Sequence, residues 1–149
     1  MAVGEICSRD VVVMSADESV REAALLMRNH HVGDVVVVNN ANGARKPVGI
    51  ITDRDGAVEI VAEGVDPDSV SVKDAMSFEL VTASEDDDIL RCVEFMREKG
   101  LRRLPIVDNN GALVGILTLD DVIDLLAAML TDIVRLVDTQ KRKESRRRR

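Results

Sequence analysis

The chain has 149 residues, enough for one compact domain or two small half-domains that share a core. Apolar residues make up 46% of it and aromatics only 1%, so the core is built from aliphatic side chains and base-stacking on single-stranded nucleic acid is disfavoured. The net charge is −7, yet residues 141–149 carry a local +6, which leaves −13 for the rest and makes the body a poor general binder of polyanions.

Residues 1–10 read as a lead-in, and Val11–Val13 as a brief β segment. Ser15 to Ser19 supplies helix-start chemistry, and Val20, Ala23, Ala24 and Met27 follow at helical spacing. That helix is expected to end near His30 and His31, ahead of Gly33. Val35 to Val38 is an unbroken Val run, the signature of a strand buried on both faces. A turn-rich stretch from Asn39 to Pro47 then leads to a second strand, Val48 to Ile51, and the two are expected to form a hairpin. A second helix is expected from about Asp53 to Ala62.

After a link at residues 64–71 the programme repeats. Leu80–Thr82 matches the first β segment, Ile89, Val93 and Met96 match the first helix, and Leu104–Val107 matches the Val run. The first helices align at an offset of 69 and the second strands at 66, so the first hairpin loop holds three extra residues. The clearest recurrence is Val48-Gly49-Ile50-Ile51-Thr52-Asp53-Arg54-Asp55 against Val114-Gly115-Ile116-Leu117-Thr118-Leu119-Asp120-Asp121. Each is an apolar run followed by Thr-x-x-Asp, which sets a hydroxyl and a carboxylate at a strand-to-helix turn. Such a turn favours anions, and the carboxylate can accept from ribose hydroxyls. The last helix is expected from Leu119 towards residue 138, longer than its first-half counterpart.

This arrangement resembles the CBS domain, and the whole chain resembles a tandem CBS-domain pair of the stand-alone bacterial and archaeal type. The resemblance rests on Met27-Arg28-x-His30-His31-Val32-Gly33, on Leu101-Arg102-Arg103-Leu104-Pro105-Ile106-Val107 and on the two Thr-x-x-Asp segments. It implies an α/β fold of two β-α-β-β-α repeats related by a pseudo-two-fold axis. The expected boundaries are 7–64 and 75–131 for the repeats, 65–74 for the linker and 132–149 for a C-terminal helical extension with a basic tail.

The resemblance further implies a regulatory module whose two clefts take adenosine-containing ligands. One cleft would use Asp121 for ribose, Thr118 for phosphate or ribose, Arg102 and Arg103 for phosphate, and Cys7, Val12, Val32 and Gly33 around the base. The other would use Asp55 and Thr52, Arg54 near phosphate, and Met76, Val81 and Leu101 around the base. Where the second repeat has Arg102-Arg103 the first has Gly33-Asp34, and a carboxylate repels phosphate, so the cleft of Asp121 is expected to be the better site. Asp120 in place of Arg54 partly reverses that comparison. AMP, ADP, ATP, S-adenosylmethionine and a dinucleotide all remain open as ligands.

Plainer roles stand beside these. Asp55, Asp121, Thr52 and Thr118 could each serve only as helix caps, and Arg102 and Arg103 as solvated cations. His30 and His31 lack partners at metal-ligand spacing, and Glu85–Asp88 lacks the Gly and terminal Glu of a calcium loop. No metal and no obligatory cofactor is expected. Met27, Met76, Met96 and Met129 read as core filler. Cys7 and Cys92 have no metal spacing and suit a reducing cytosol, Cys92 being expected buried and inert. No signal peptide or membrane span is apparent, so the expected location is cytoplasmic. No nucleophile–base pair or Walker motif is present, which argues against an enzyme. A ligand-free dimerisation scaffold, and nucleic-acid binding through Arg146–Arg149, are the alternatives. The expected partners are an adenosyl ligand, a second copy in a homodimer, and a protein target that receives the signal.

Overall fold

The computed structural model describes residues 1–40, 43–77 and 79–148. Its two halves each contain a three-stranded sheet. In the first, β1 (Val13–Ser15) runs parallel to β2 (Asp34–Asn39), which pairs antiparallel with β3 (Lys46–Thr52). In the second, β4 (Ala83–Ser84) runs parallel to β5 (Arg103–Val107), which pairs antiparallel with β6 (Leu113–Thr118). The duplication extends to an irregularity of pairing, since the register shifts at Val37/Val38 in one sheet and at the equivalent Ile106/Val107 in the other. The expected hairpins are both present; Ala41 and Asn42 of the first turn lie outside the described residues.

The β segments that open each half sit later than the apolar runs indicate. The strands are Val13–Ser15 and Ala83–Ser84, not Val11–Val13 and Leu80–Thr82. Val11 and Val12 pack against the cores, and only the Val12 carbonyl joins the ladder, accepting from Val36 N at 2.9 Å. Side-chain burial and strand pairing are separate demands, and here neighbouring residues meet them.

α1 (Val20–His30) starts on Ser19, whose hydroxyl accepts from Glu22 N, and ends on His31 in the left-handed conformation at φ 54°. The equivalent helix α4 (Ile89–Lys99) is capped by Asp88 and ends on Gly100 at φ 66°. Glycine holds that conformation without a Cβ clash, whereas a histidine is strained there by roughly 1–2 kcal/mol. His31→Gly is therefore expected to raise the thermal midpoint by several degrees, on the order of 1 kcal/mol of stability. An unchanged or lowered midpoint in a melting scan would mean that the imidazole offsets the strain.

The helix after β3 is not continuous. A single α turn, α2 (Asp53–Asp55), widens into a π-helix over Gly56–Val61, which buries Ile60 and leaves Val58 and Val61 exposed. Its counterpart α5 (Leu119–Arg147) is 29 residues long and passes well beyond the expected end near residue 138. No Gly or Pro follows Gly115 to stop it, and Arg146 and Arg147 in its last turn suit the helix dipole. The basic segment is thus helical to Arg147, while Arg149 lies outside the described residues.

The Val run is buried on both faces. Val35 and Val37 face α1, the π-helix and Val72, while Val36 and Val38 meet Leu113 and Ile116 of the other half. One shared apolar layer thus joins the two sheets. A second connection is an exchange of segments. The short turn Val3–Glu5, ahead of the first repeat, packs into the core of the second, with Val3 and Cys7 buried beside Ala83, Cys92 and Leu104. Conversely α3 (Val72–Ala75), ahead of the second repeat, packs into the first, with Val72 beside Val20 and Ile60. Val3 and Val72 are both fully buried and lie 69 residues apart, the offset of the first helices.

Candidate functional site

Each β-to-helix turn is closed by its own Thr and Asp. The Thr52 hydroxyl accepts from Asp55 N at 3.2 Å, and Asp55 Oδ2 accepts from Thr52 N at 2.9 Å. At the second turn Thr118 Oγ1 accepts from Asp121 N at 3.2 Å, and Asp121 Oδ2 accepts from both Thr118 N and the Thr118 hydroxyl at 2.8 Å. These reciprocal caps satisfy backbone donors that the helix starts would otherwise leave open. The capping role is real. It engages Oδ2 alone, so among the described residues Oδ1 of each Asp makes no protein hydrogen bond and remains an acceptor for a ligand.

A cleft opens beside each turn. The first has a volume of about 460 Å³ and takes in Thr52, Asp53, Arg54 and Asp55, with Ile50, Leu80, Val81 and Leu101 as apolar wall. Arg102, Arg103 and Glu79 also border it. The second, of about 340 Å³, is bordered by His31, Val32, Gly33, Asp34, Arg102, Arg103, Thr118, Leu119 and Asp120.

Most of the residues expected for the first cleft therefore come together: Thr52, Arg54, Asp55, Val81 and Leu101. Met76 does not join them. It packs onto the first core, where a Cβ on Gly49 would collide with its sulfur. Of the residues expected for the second cleft, Thr118, Arg102, Arg103, Val32 and Gly33 border it, but Asp121, Cys7 and Val12 do not. Cys7 is buried in the second core against Gly115, and burial pushes its thiol pKa up, the more so with Asp121 and Glu85 nearby although Arg9 opposes the rise. Met76 and Cys7 occupy equivalent positions, 69 apart, and each fills space left by the strand glycine of the half it packs into. Both are drawn into packing because each continues the segment at the start of its own half that packs into the other.

Arg102 and Arg103, expected at the second cleft, border both clefts. The contrast between Arg103 and Asp34 also changes meaning. The two positions are equivalent in the repeats, and they meet, Arg103 Nε lying 3.4 Å from Asp34 Oδ2. Asp34 is mostly buried, and its carboxyl pKa is raised by that burial; the Arg103 guanidinium pulls it back and Asp53 adds to the rise. Gly33 leaves room for this pair, because a Cβ there would come within 3.0 Å of Arg103 Nη2 and 3.1 Å of Asp53 Oδ2. Asp53 and Glu79 border the first cleft without having been expected there, although Asp53 stands inside the Thr-x-x-Asp motif itself.

Among the described residues no cluster of His, Cys, Asp and Glu is arranged to hold a metal ion, and no helix is long and apolar enough to cross a membrane. The clefts combine apolar wall, arginine and carboxylate in volumes typical of small-molecule sites, roughly 300–1,000 Å³.

Comparison with known proteins places the chain. The family model for the CBS domain matches it twice, over residues 3–60 and 72–128. An uncharacterized protein of Methanopyrus kandleri is 43% identical over 84% of this chain, and the chain spans 62% of that relative. The inosine-5'-monophosphate dehydrogenase of Methanocaldococcus jannaschii is 35% identical over 80% of the chain, which spans only 22% of the enzyme. The CBS domain-containing protein YhcV of Bacillus subtilis is 37% identical over 81% of this chain and 82% of its own length. Among solved structures, the Pyrobaculum aerophilum CBS domain protein PAE2072 complexed with AMP aligns with a TM-score of 0.73 at 26% identity, covering 81% of this chain and 89% of that one. The CBS-domain pair of MJ0100, in complex with 5-methylthioadenosine and S-adenosyl-L-methionine, aligns with a TM-score of 0.75 at 25% identity, covering 87% and 98%.

Proposed function

The chain belongs to the CBS-domain family, as a tandem pair, and from that premise we propose that it is a regulatory module that binds an adenosine-containing nucleotide between its repeats. The observation that carries the reading is the first cleft. There one Thr-x-x-Asp turn of the first repeat, with the free carboxylate oxygen of Asp55, faces apolar wall and two arginines from the second. Asp55 would accept from the ribose, Val81 and Leu101 would flank the base, and Arg54, Arg102 and Arg103 would meet the phosphate. AMP in one structural neighbour and adenosyl sulfur compounds in another support this chemistry.

The first cleft is the stronger of the two, against the sequence-based preference for the second. It is larger, has more apolar wall, and its acceptor Asp55 borders the space, whereas Asp121 stands back from its own cleft. A ligand that touches both repeats stabilises the arrangement it fits better, and it shifts conformation only by that difference in affinity. The partner that reads this shift is a protein, and the module acts as a homodimer in the cytoplasm.

Calorimetric titration with AMP, ATP and S-adenosylmethionine tests the proposal on the native chain, Asp55→Ala and Asp121→Ala. Loss of a good hydrogen-bonded acceptor is expected to weaken binding about tenfold or more in Asp55→Ala, and much less in Asp121→Ala. Each variant also loses a cap, so Asp55→Asn and Asp121→Asn, which keep an acceptor for the threonine N–H, separate folding from binding. Weakening confined to Asp121→Ala would move the site to the second cleft. A folded native chain that binds none of the three would leave the scaffold reading.

A further inference from the structure

Arg103 and Asp34 hold equivalent positions of the two repeats, 69 residues apart, and they touch, with Arg103 Nε 3.4 Å from Asp34 Oδ2. Equivalent residues of two repeats related by a pseudo-two-fold axis meet only beside that axis. A group in that place faces both clefts, and Arg103 borders both. The two side chains are 30% and 14% exposed, so solvent screens them less than it screens a surface pair. Asp53 closes the group from the side of the first cleft, since a Cβ on Gly33 would lie 3.0 Å from Arg103 Nη2 and 3.1 Å from Asp53 Oδ2. One guanidinium thus stands between a carboxylate of the first cleft, Asp53, and a carboxylate of the second, Asp34.

The other charges of the clefts are unequal. Arg54 borders the first cleft, and its counterpart Asp120 borders the second. A phosphate in the first cleft therefore meets Arg54 besides the shared arginines. In the second cleft the bordering arginines are the shared Arg102 and Arg103, and Asp34 and Asp120 oppose them. Arg102 is exposed, where water weakens its pull, so Arg103 is the cation for which two phosphates would compete.

We propose that the two clefts are antagonistic through Arg103: a phosphate in the first draws the guanidinium off Asp34, and the bared carboxylate then disfavours a phosphate in the second. The proposal rests on the nucleotide reading above and adds the regulation of that site. By reciprocity a phosphate in the second cleft weakens binding in the first by the same factor. That factor is expected to be about tenfold, the scale of one charge-assisted hydrogen bond lost. A ligand without phosphate makes no demand on Arg103, so one chain can hold a nucleotide in the first cleft and an uncharged adenosyl compound in the second.

His31 reports on the second cleft, which it borders, and His30→Gln leaves it as the sole imidazole of the chain. AMP is titrated into that chain and followed both by calorimetry and by the ring-proton resonance of His31. The titration is repeated with Arg54→Glu, a substitution at an exposed residue that weakens phosphate binding in the first cleft. The AMP concentration that half-shifts His31 is expected to fall severalfold, up to about tenfold, with Arg54→Glu. With Asp34→Asn and Arg103→Gln also present, which remove both charges together, Arg54→Glu should leave that concentration unchanged. Adenosine should shift His31 at the same concentration whether or not Arg54 is replaced.

A half-shift that Arg54→Glu leaves unchanged or raises would overturn the antagonism and keep the nucleotide reading. So would a His31 resonance that AMP moves in neither chain while calorimetry records binding. An effect of Arg54→Glu that survives the loss of Asp34 and Arg103, or that adenosine also shows, would put the coupling elsewhere and overturn the proposal. Absence of AMP binding by both measurements would overturn the reading for AMP itself, and the antagonism with it.

Discussion

Replacing Val3 by Asp is expected to destabilise the second repeat by about 4 kcal/mol or more, enough to unfold it in an otherwise folded chain. Val3 lies in the first residues, where truncation and substitution are ordinarily harmless. Here it is fully buried among Ala83, Cys92 and Leu104, and Val3 N donates to Asp87 O at 2.8 Å. Gly4 N donates to Glu85 O at 2.9 Å, and Ser8 exchanges hydrogen bonds with Ile116 at 2.9 Å in each direction. Among the described residues no cation is buried in this core, so a carboxylate in this apolar position is left without compensation. Val3→Ala removes only packing, and is expected to cost about 1.5–3 kcal/mol. Glu5→Ala, on the exposed side of the same turn, is the control and should change nothing measurable. Native-state hydrogen exchange provides the decisive readout. Protection should fall first at Leu104, Ile106 and Leu117, which are remote from Val3 in the chain but share its core. Val35 and Val37, in the core of the first repeat, should keep theirs longer.

Asp34→Asn is expected to tighten the binding of AMP about tenfold, the scale of one charge-assisted hydrogen bond gained. The carboxylate now holds Arg103 at 3.4 Å, between the two clefts that Arg103 borders. The amide releases the guanidinium for phosphate and removes a negative charge from the second cleft. The substitution also changes the pH dependence of stability, and the sign follows from burial. The Asp34 carboxyl is raised in the folded chain, so the folded state binds its proton more readily than the unfolded state does. Its stabilising contribution is present below the ordinary carboxylate range and is lost as pH rises through the raised value. Asn carries no such proton. The variant should therefore gain stability relative to the native chain as pH rises from acid to neutral, read as a narrowing or reversal of the difference in melting temperature. Weaker AMP binding in the variant would show that the ion pair serves to hold Arg103 in its binding position.

Much of the fold was legible because the repeat makes each signal count twice. The Val run, the hairpins, the α1 start at Ser19 and the Thr-x-x-Asp caps all follow from periodicity and cap chemistry that act over a few residues. Strand limits were less legible, since Val11 and Val12 satisfy their side chains by burial outside the strand. The π turns at Gly56–Val61 left no local signature. At the site, Thr52, Arg54, Asp55, Val81 and Leu101 gather as the family resemblance implies, and Met76, Cys7, Val12 and Asp121 do not line the clefts assigned to them.

What the sequence determined by itself is the repeat: its unit, its two caps and its apolar faces, each set by interactions between residues near one another in the chain. The tertiary structure alone decided how the halves complete each other. Val3 and Val72 repeat at the offset of the helices, but only the packing shows that each fills the other half's core. The same holds for Arg103, whose charge is visible in the sequence and whose partner Asp34 is not, because that pair forms across the contact between the repeats. Burial and electrostatics act through distance in space, and a residue 69 positions away can be the nearest neighbour.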